Sequence, residues 1–263
     1  RLLDPEKHPF WKSAQGLPLL ARRGRKVVGR ILGIIDHNNN RFRSEKMGAW
    51  GFLECENDDE AAAALFARVE EWTRAQGMEF LRGPLNPSTN YEAGLLIEGF
   101  EYSPTFMMTY NPQYYADLAE SYGFKKEKDL LALIMTADVG EEKRIFLERV
   151  AERIRGKGKV RIRTAVLGDF MSEVDLIKGI YDEAWSRNWG FAPMSDDELM
   201  EMGKNLLQIG DPDFAFFVYY NDEPVGFCLI VPDVNPVLRR LNGKVGLLGL
   251  AKMYLYRHEI RGL

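Results

Sequence analysis

The chain has 263 residues, 46% of them hydrophobic and 28% charged, which is enough for a real core and for two domains or one domain of two similar halves. A net charge of −4 at pH 7 gives no electrostatic reason to expect nucleic acid as a partner. The 3 histidines are scattered without ligand spacing, so no metal site is expected, and Cys55 and Cys228 read as buried free thiols of a reducing, cytoplasmic compartment.

Residues 17–21, the polar turn 22–26 and the apolar run 27–36 read as a β-hairpin, and the pattern returns at 214–233. Val28, Gly29, Leu32 and Asp36 stand in register with Val225, Gly226, Leu229 and Asp233, an offset of 197 positions. After the first hairpin a polar loop is expected over 36–45, containing Asn38, Asn39 and Asn40, then a strand over 47–55. Carboxylates at 58–60 suit the start of a helix, because they cap free N–H groups and face the positive end of the helix dipole. That helix is expected over 61–76, with Leu65, Val69 and Trp72 on one face and Gly77 as its terminator. A strand over 80–85 is interrupted by Gly83-Pro84 and gives way to a loop over 86–94. Pro112 opens a helix that runs to Tyr122, and a strand over 129–135 closes the first half.

Residues 141–155 read as an amphipathic connector helix with Ile145, Val150 and Ile154 on its buried face. Arg153, Arg155, Lys157, Lys159, Arg161 and Arg163 make a local basic run, read as a solvated turn between a helix end and an edge strand. A strand over 160–165 follows, then helices over 174–185 and 195–207, the second opened by a capping box of Ser195 and Glu198. After the second hairpin, residues 235–263 read as loop and helix. Gly243, Gly246 and Gly249 there have the wrong spacing for a dinucleotide loop. The most apolar stretch, 245–256, carries Lys252 and falls short of the ~20 residues a spanning helix needs, so no membrane partner is expected. The opening on Arg1 and the stop at Leu263 suggest a piece of a longer polypeptide.

The order strand, two helices, hairpin, strand, helix, strand, helix, strand resembles the GNAT superfamily of acyl-CoA-dependent N-acyltransferases. Val160-Arg161-Ile162-Arg163-Thr164-Ala165 with Asp169 is similar to the opening strand of that fold, and the two Val-Gly hairpins to its second and third strands. Tyr122-Gly123-Phe124 is similar to the end of its late helix. The resemblance implies a mixed α/β (α+β) fold of two GNAT-like halves. Residues 1–138 would form a degenerate half. Residues 139–263 would form an incomplete second half. It also implies an acyl-CoA such as acetyl-CoA as co-substrate, with no covalently bound cofactor.

In that superfamily a glycine-containing turn at a helix N-terminus holds the pyrophosphate, since backbone N–H groups can then approach the anion. Here the equivalent turn, 54–60, has no glycine and carries Glu54, Glu56, Asp58, Asp59 and Glu60, whose charge opposes a pyrophosphate. The family's late-helix tyrosine is replaced by Ala119. The first half is therefore expected not to bind acyl-CoA in the family's way, and the cofactor site is expected beyond Leu263.

Two polar segments are candidate substrate sites for a small-molecule or peptidic amine. Asn86, Ser88, Thr89 and Asn90 follow a predicted strand, where open α/β folds place ligands, or form a turn that satisfies its own backbone. Glu92 is the one carboxylate of that loop and could act as a general base if burial raised its pKa. Trp185, Asn188, Trp189 and Phe191 lie between the two helices of the second half, as an aromatic-lined acceptor pocket or as core. Tyr102, Met107, Met108, Tyr110, Tyr114 and Tyr115 form a patch expected to be the seam between the halves. An N-acyltransferase is the leading reading, and an inactive GNAT-like binding protein is the alternative. The sequence leaves the oligomeric state open.

Overall fold

The structure is a computed structural model that describes residues 2–105, 107–134, 140–156, 158–207, 212–241, 249 and 255–256. Strands β1 (Ala14–Arg23) and β2 (Lys26–Asp36) form the first hairpin, in register from Ala14 opposite Asp36 to Arg23 opposite Lys26. Asp36 then caps helix α1 (His37–Arg43): its carboxylate accepts the backbone N–H of Asn38 at 2.9 Å and of Asn39 at 3.1 Å. The polar loop expected over 36–45 is therefore a helix. Asparagines compete with helical hydrogen bonds, but an N-cap aspartate and tertiary bonds to their amides overcome that.

Strand β3 (Met47–Cys55) runs antiparallel to β2 and leads into α2 (Asp59–Ala75), capped by the Asp58 side chain on the N–H of Ala61. Leu65, Phe66 and Val69 of α2 are buried on the sheet. Gly29 makes that approach possible: a Cβ there would lie 3.0 Å from Leu65 and 3.1 Å from the Cys55 sulfur. Strand β4 (Phe80–Arg82) pairs parallel with β3, giving a sheet of order β1-β2-β3-β4. Strands β5 (Leu85–Asn86) and β6 (Glu92–Ala93) form a two-residue ladder, and α3 (Tyr115–Tyr122) ends on Gly123 at φ 115°. Trp50 and Phe124 stand edge to face on Phe66, the first with centroids 4.9 Å apart, and Tyr122 packs against Phe66 at a tilt.

Two expectations fail after α3. Residues 129–134 form no strand; Leu131 and Leu133 are 85% and 90% exposed, and Met135 lies outside the described residues. An apolar run supplies strand propensity, but a strand also needs a neighbour to take its hydrogen bonds, and none stands beside this one among the described residues. Helix α4 (Glu141–Gly156) forms as expected but buries no residue, so Ile145, Val150 and Ile154 are exposed rather than core. Ion pairs along the helix such as Arg144 to Glu148 at 2.8 Å support it locally.

Strand β7 (Val160–Thr164) leads through a 3-10 turn to the paired helices α5 (Phe170–Trp185) and α6 (Asp196–Leu206). The capping box of Ser195 and Glu198 is present. Strands β8 (Ala215–Tyr220) and β9 (Glu223–Leu229) form the second hairpin, turned through Asn221 and Asp222 at φ 50° and 65°. Both residue types tolerate this left-handed geometry. The second sheet is antiparallel in the order β7-β8-β9, and α7 (Asn235–Leu241) follows. The chain is thus a mixed α/β protein.

The basic run is not a solvated turn throughout. Arg161 lies 4.0 Å from the Tyr219 ring centroid, and Arg163 covers Phe217 while pairing with Glu173. Lys157 lies outside the described residues, as do Gly243, Gly246 and Lys252. Cys55 is buried as expected; Cys228, on an open face of β9, is exposed.

Candidate functional site

The acidic turn at the end of β3 borders a cleft of about 380 Å³, lined by Val28, Gly29, Arg30, Glu54, Tyr114 and Tyr115 among others. Its strand-end backbone is already occupied. The Tyr114 hydroxyl donates to the Cys55 carbonyl at 2.8 Å, and the Cys55 N–H donates to the Tyr115 hydroxyl at 3.0 Å. Tyr115 in turn donates to Glu54 at 2.9 Å. Burial pushes the Tyr115 phenol and the Cys55 thiol up from their ordinary values, so both stay protonated at neutral pH. At the start of α2, Arg23 bonds to Asp58 and holds its carboxyl down to about 2. Carboxylates thus occupy the positions where an anion would sit.

The neighbouring strand edge is closed as well. Leu85 passes so near β3 that a Cβ on Gly51 would lie 1.7 Å from its carbonyl oxygen. Asn86, a predicted substrate residue, uses its side-chain oxygen to accept the Phe52 N–H at 2.6 Å. Glu92 is exposed on β6, so it lacks the burial expected of a general base in that loop.

The other predicted residues meet at the junction between the two sheets. Thr89 donates to the Gly190 carbonyl at 2.5 Å and Asn90 to the Ala192 carbonyl at 2.9 Å, while the Tyr181 hydroxyl donates to Asn90 at 3.2 Å. Ser88 is buried and accepts the Asn90 N–H, shaping the turn. Phe191 is buried against Phe42 and Tyr181, Trp185 stacks on Tyr181 while half exposed, and Trp189 lies under Arg82. The exposed Asn188 offers its carbonyl to Arg43 at 3.4 Å. By contrast, Tyr102, Met107, Met108 and Tyr110 are exposed, and Tyr114 and Tyr115 pack within the first sheet's core. The side chains of that patch do not fill the seam, although Ser103 and Pro104 beside Tyr102 accept hydrogen bonds from Arg239 and Asn235 of α7.

Beneath this junction lies a buried polar group that the sequence reading passed over. Asp36 at the end of β2, His8 before β1, Tyr91 of the 86–94 loop, and Glu198 and Glu201 on one face of α6 are each buried or half-buried. Tyr91 donates to Glu198 at 3.2 Å, and the other Glu198 oxygen accepts from Ser195 N and Oγ at 3.1 and 2.9 Å. The His8 ring stands edge-on to Tyr91, centroids 5.9 Å apart. Burial pushes the Asp36 carboxyl up to about 6, against the two backbone bonds of its cap, and the Glu198 charge adds to the shift. Burial and Glu198 also drive the Tyr91 phenol upward. A carboxyl in this position can take up a proton near neutral pH. Among the described residues no group of three or more His, Cys, Asp or Glu is placed to hold a metal ion. The sequence signals were the pairing of Asp36 with Asp233 in the repeat and the place of Glu198 in the α6 capping box.

The chain is 33% identical over 264 aligned positions to a bacterial ceramide synthase of Caulobacter vibrioides, covering 99% of this chain and 67% of that protein. The chain belongs to the family of this ceramide synthase. It is also 31% identical over 257 positions to the protein YghO of Escherichia coli, covering 97% of this chain and 63% of YghO. It therefore spans about two thirds of the length of these relatives. No family model and no solved structure matches the chain. No helix among the described residues is long and apolar enough to cross a membrane.

Proposed function

We propose that this chain is part of a GNAT-like N-acyltransferase that moves an acyl group from an acyl-CoA onto the amine of a long-chain amino alcohol. The observation that carries the reading is the buried carboxylate pair Asp36 and Glu198, with Tyr91, between the two sheets. An amine is an ammonium ion at neutral pH and must lose a proton before it can attack. A carboxylate whose pKa is raised toward neutrality is suited to accept that proton. In the balanced step the amine nitrogen bonds to the thioester carbonyl carbon, the C–S bond breaks, and the leaving thiolate takes up a proton. A ceramide is an amide of a long-chain amino alcohol, so the name of the Caulobacter relative supports this acceptor class.

The first sheet's own cleft argues against holding the donor there. Its strand end is bonded by Tyr114 and Tyr115, and its helix start is filled by Asp58. In this reading the first half shapes the acceptor side and the donor binds elsewhere. The same bonded strand end and acidic helix start favour a second reading, a GNAT-like protein that binds a ligand without transfer.

Full-length protein incubated with palmitoyl-CoA and sphinganine should release free thiol and form the N-acyl product, read by mass spectrometry. Asp36→Asn keeps an α1 cap and should lower kcat by roughly 100-fold or more. A wild-type rate in that variant would remove Asp36 from the mechanism. No product from wild-type protein across a panel of acyl-CoAs and amines would favour the second reading.

A further inference from the structure

The second sheet and the paired helices α5 and α6 enclose a cavity of about 100 Å³. Val174 and Ile177 of α5, Leu206 of α6, Phe217 of β8 and Ile230 form much of its wall. Its buried carboxylate, Glu173, has no hydrogen bond to offer a ligand. One Glu173 oxygen accepts from Arg163 at 2.7 Å and from the Val166 N–H at 3.0 Å, and the other accepts from Arg163 at 3.0 Å. The apolar lining continues to the surface: Val166, Leu207, Phe214 and Leu229 border the cavity and are each more than a third exposed. Exposed apolar side chains gathered around an apolar opening mark a place where hydrocarbon enters.

We infer that this cavity takes the end of the hydrocarbon tail of a single-chain lipid, with the rest of the chain leaving across the apolar mouth. The chemistry selects hydrocarbon over a headgroup, because a polar group inside would lose its water and find no partner. The size agrees: dry apolar cavities of roughly 150 Å³ accept benzene, so this one holds a short alkyl segment. The inference deepens the proposed transfer to a lipid amine, naming the wall that would read its tail, but its test does not depend on turnover.

The test is a titration of the full-length protein with cis-parinaric acid, followed by displacement with saturated fatty acids from butanoate to palmitate and with alkyl maltosides over the same range. The expected result is saturable binding that tightens by about fourfold per added methylene until the cavity is full. Carboxylate and maltoside series should follow the same trend. Ala215→Phe and Ile177→Trp fill the cavity from the sheet and from the helix, and each should weaken binding by at least about tenfold while the protein stays folded by circular dichroism. Where one variant fails to fold, the other and the chain-length series still decide. Absence of binding, absence of a chain-length trend, or unchanged affinity in a folded filled variant would overturn the inference. Failure of amide formation alone would count against the transferase reading and leave the tail site standing.

Discussion

Asp36 serves two structural demands with one carboxyl group: it caps α1, and it lies in the dry junction beside Glu198 and Tyr91. Burial raises its pKa from 3.8 to about 6, so the folded state holds this proton more tightly than the unfolded chain does. Its contribution is therefore greatest below pH 4 and is lost as pH rises through the window from about 4 to 6. That shift corresponds to about 3 kcal/mol. Asp36→Asn should keep the cap and remove the titration. In urea unfolding at pH 4 and pH 7, wild-type protein should lose about 2 kcal/mol more than the variant between the two conditions, because at pH 4 the unfolded chain has already begun to ionise this carboxyl. Parallel pH profiles would show that Asp36 ionises freely in the fold. The contrast with Glu92 is instructive: a carboxylate in a suggestive loop stays exposed, while one at the end of an apolar strand is buried.

Elements whose signals are local were legible. Helix α2 was expected over 61–76 and runs Asp59–Ala75, and the capping box of α6 forms as read. Both depend on groups within one or two turns of each other. The failures depend on distant neighbours: residues 129–134 lack a pairing strand, and the stripe on α4 lacks a covering surface among the described residues. The β3–β5 contact is of this second kind and gives a sharp prediction. Gly51→Ala would press a methyl into the Leu85 carbonyl, a backbone group that cannot rotate away. It should destabilise the first sheet by about 3 kcal/mol or more, seen in urea unfolding followed by fluorescence of buried Trp50. Stability close to wild type would mean that the Leu85 segment is free to leave the β3 edge.

At the scale of the whole molecule, directional bonds join the two sheets, and in these Asn90 takes two roles, donor to Ala192 and acceptor from Tyr181. Asn90→Ala would leave the Ala192 carbonyl and the Tyr181 hydroxyl without these partners at a cost of about 1–3 kcal/mol. Calorimetry of the variant should show the single transition broadening or splitting, because the two sheets lose a shared set of contacts. One sharp transition at the wild-type temperature would place their coupling elsewhere. The repeat looks different at this level too. Gly29 admits α2 onto the first sheet, whereas only Val218 comes within 4 Å of a Cβ at Gly226 among the described residues. The matching glycines mark matching hairpins with unlike surroundings.

The two hairpins, the capped helices and the mixed α/β class follow from patterns a few residues long, because turn chemistry, alternation and capping act between near neighbours. The acidic turn after β3 was equally plain, since like charges repel a phosphate in any arrangement. The meeting of Thr89 and Asn90 with the 190–192 segment was not legible, although each segment by itself reads as polar or aromatic enough to line a site. Nor was the burial of Asp36 against Glu198, 162 positions apart in the chain. Burial, and with it the shifted pKa and the candidate chemistry, depends on which surfaces exclude water from a group, and that is a property of packed elements rather than of any single stretch.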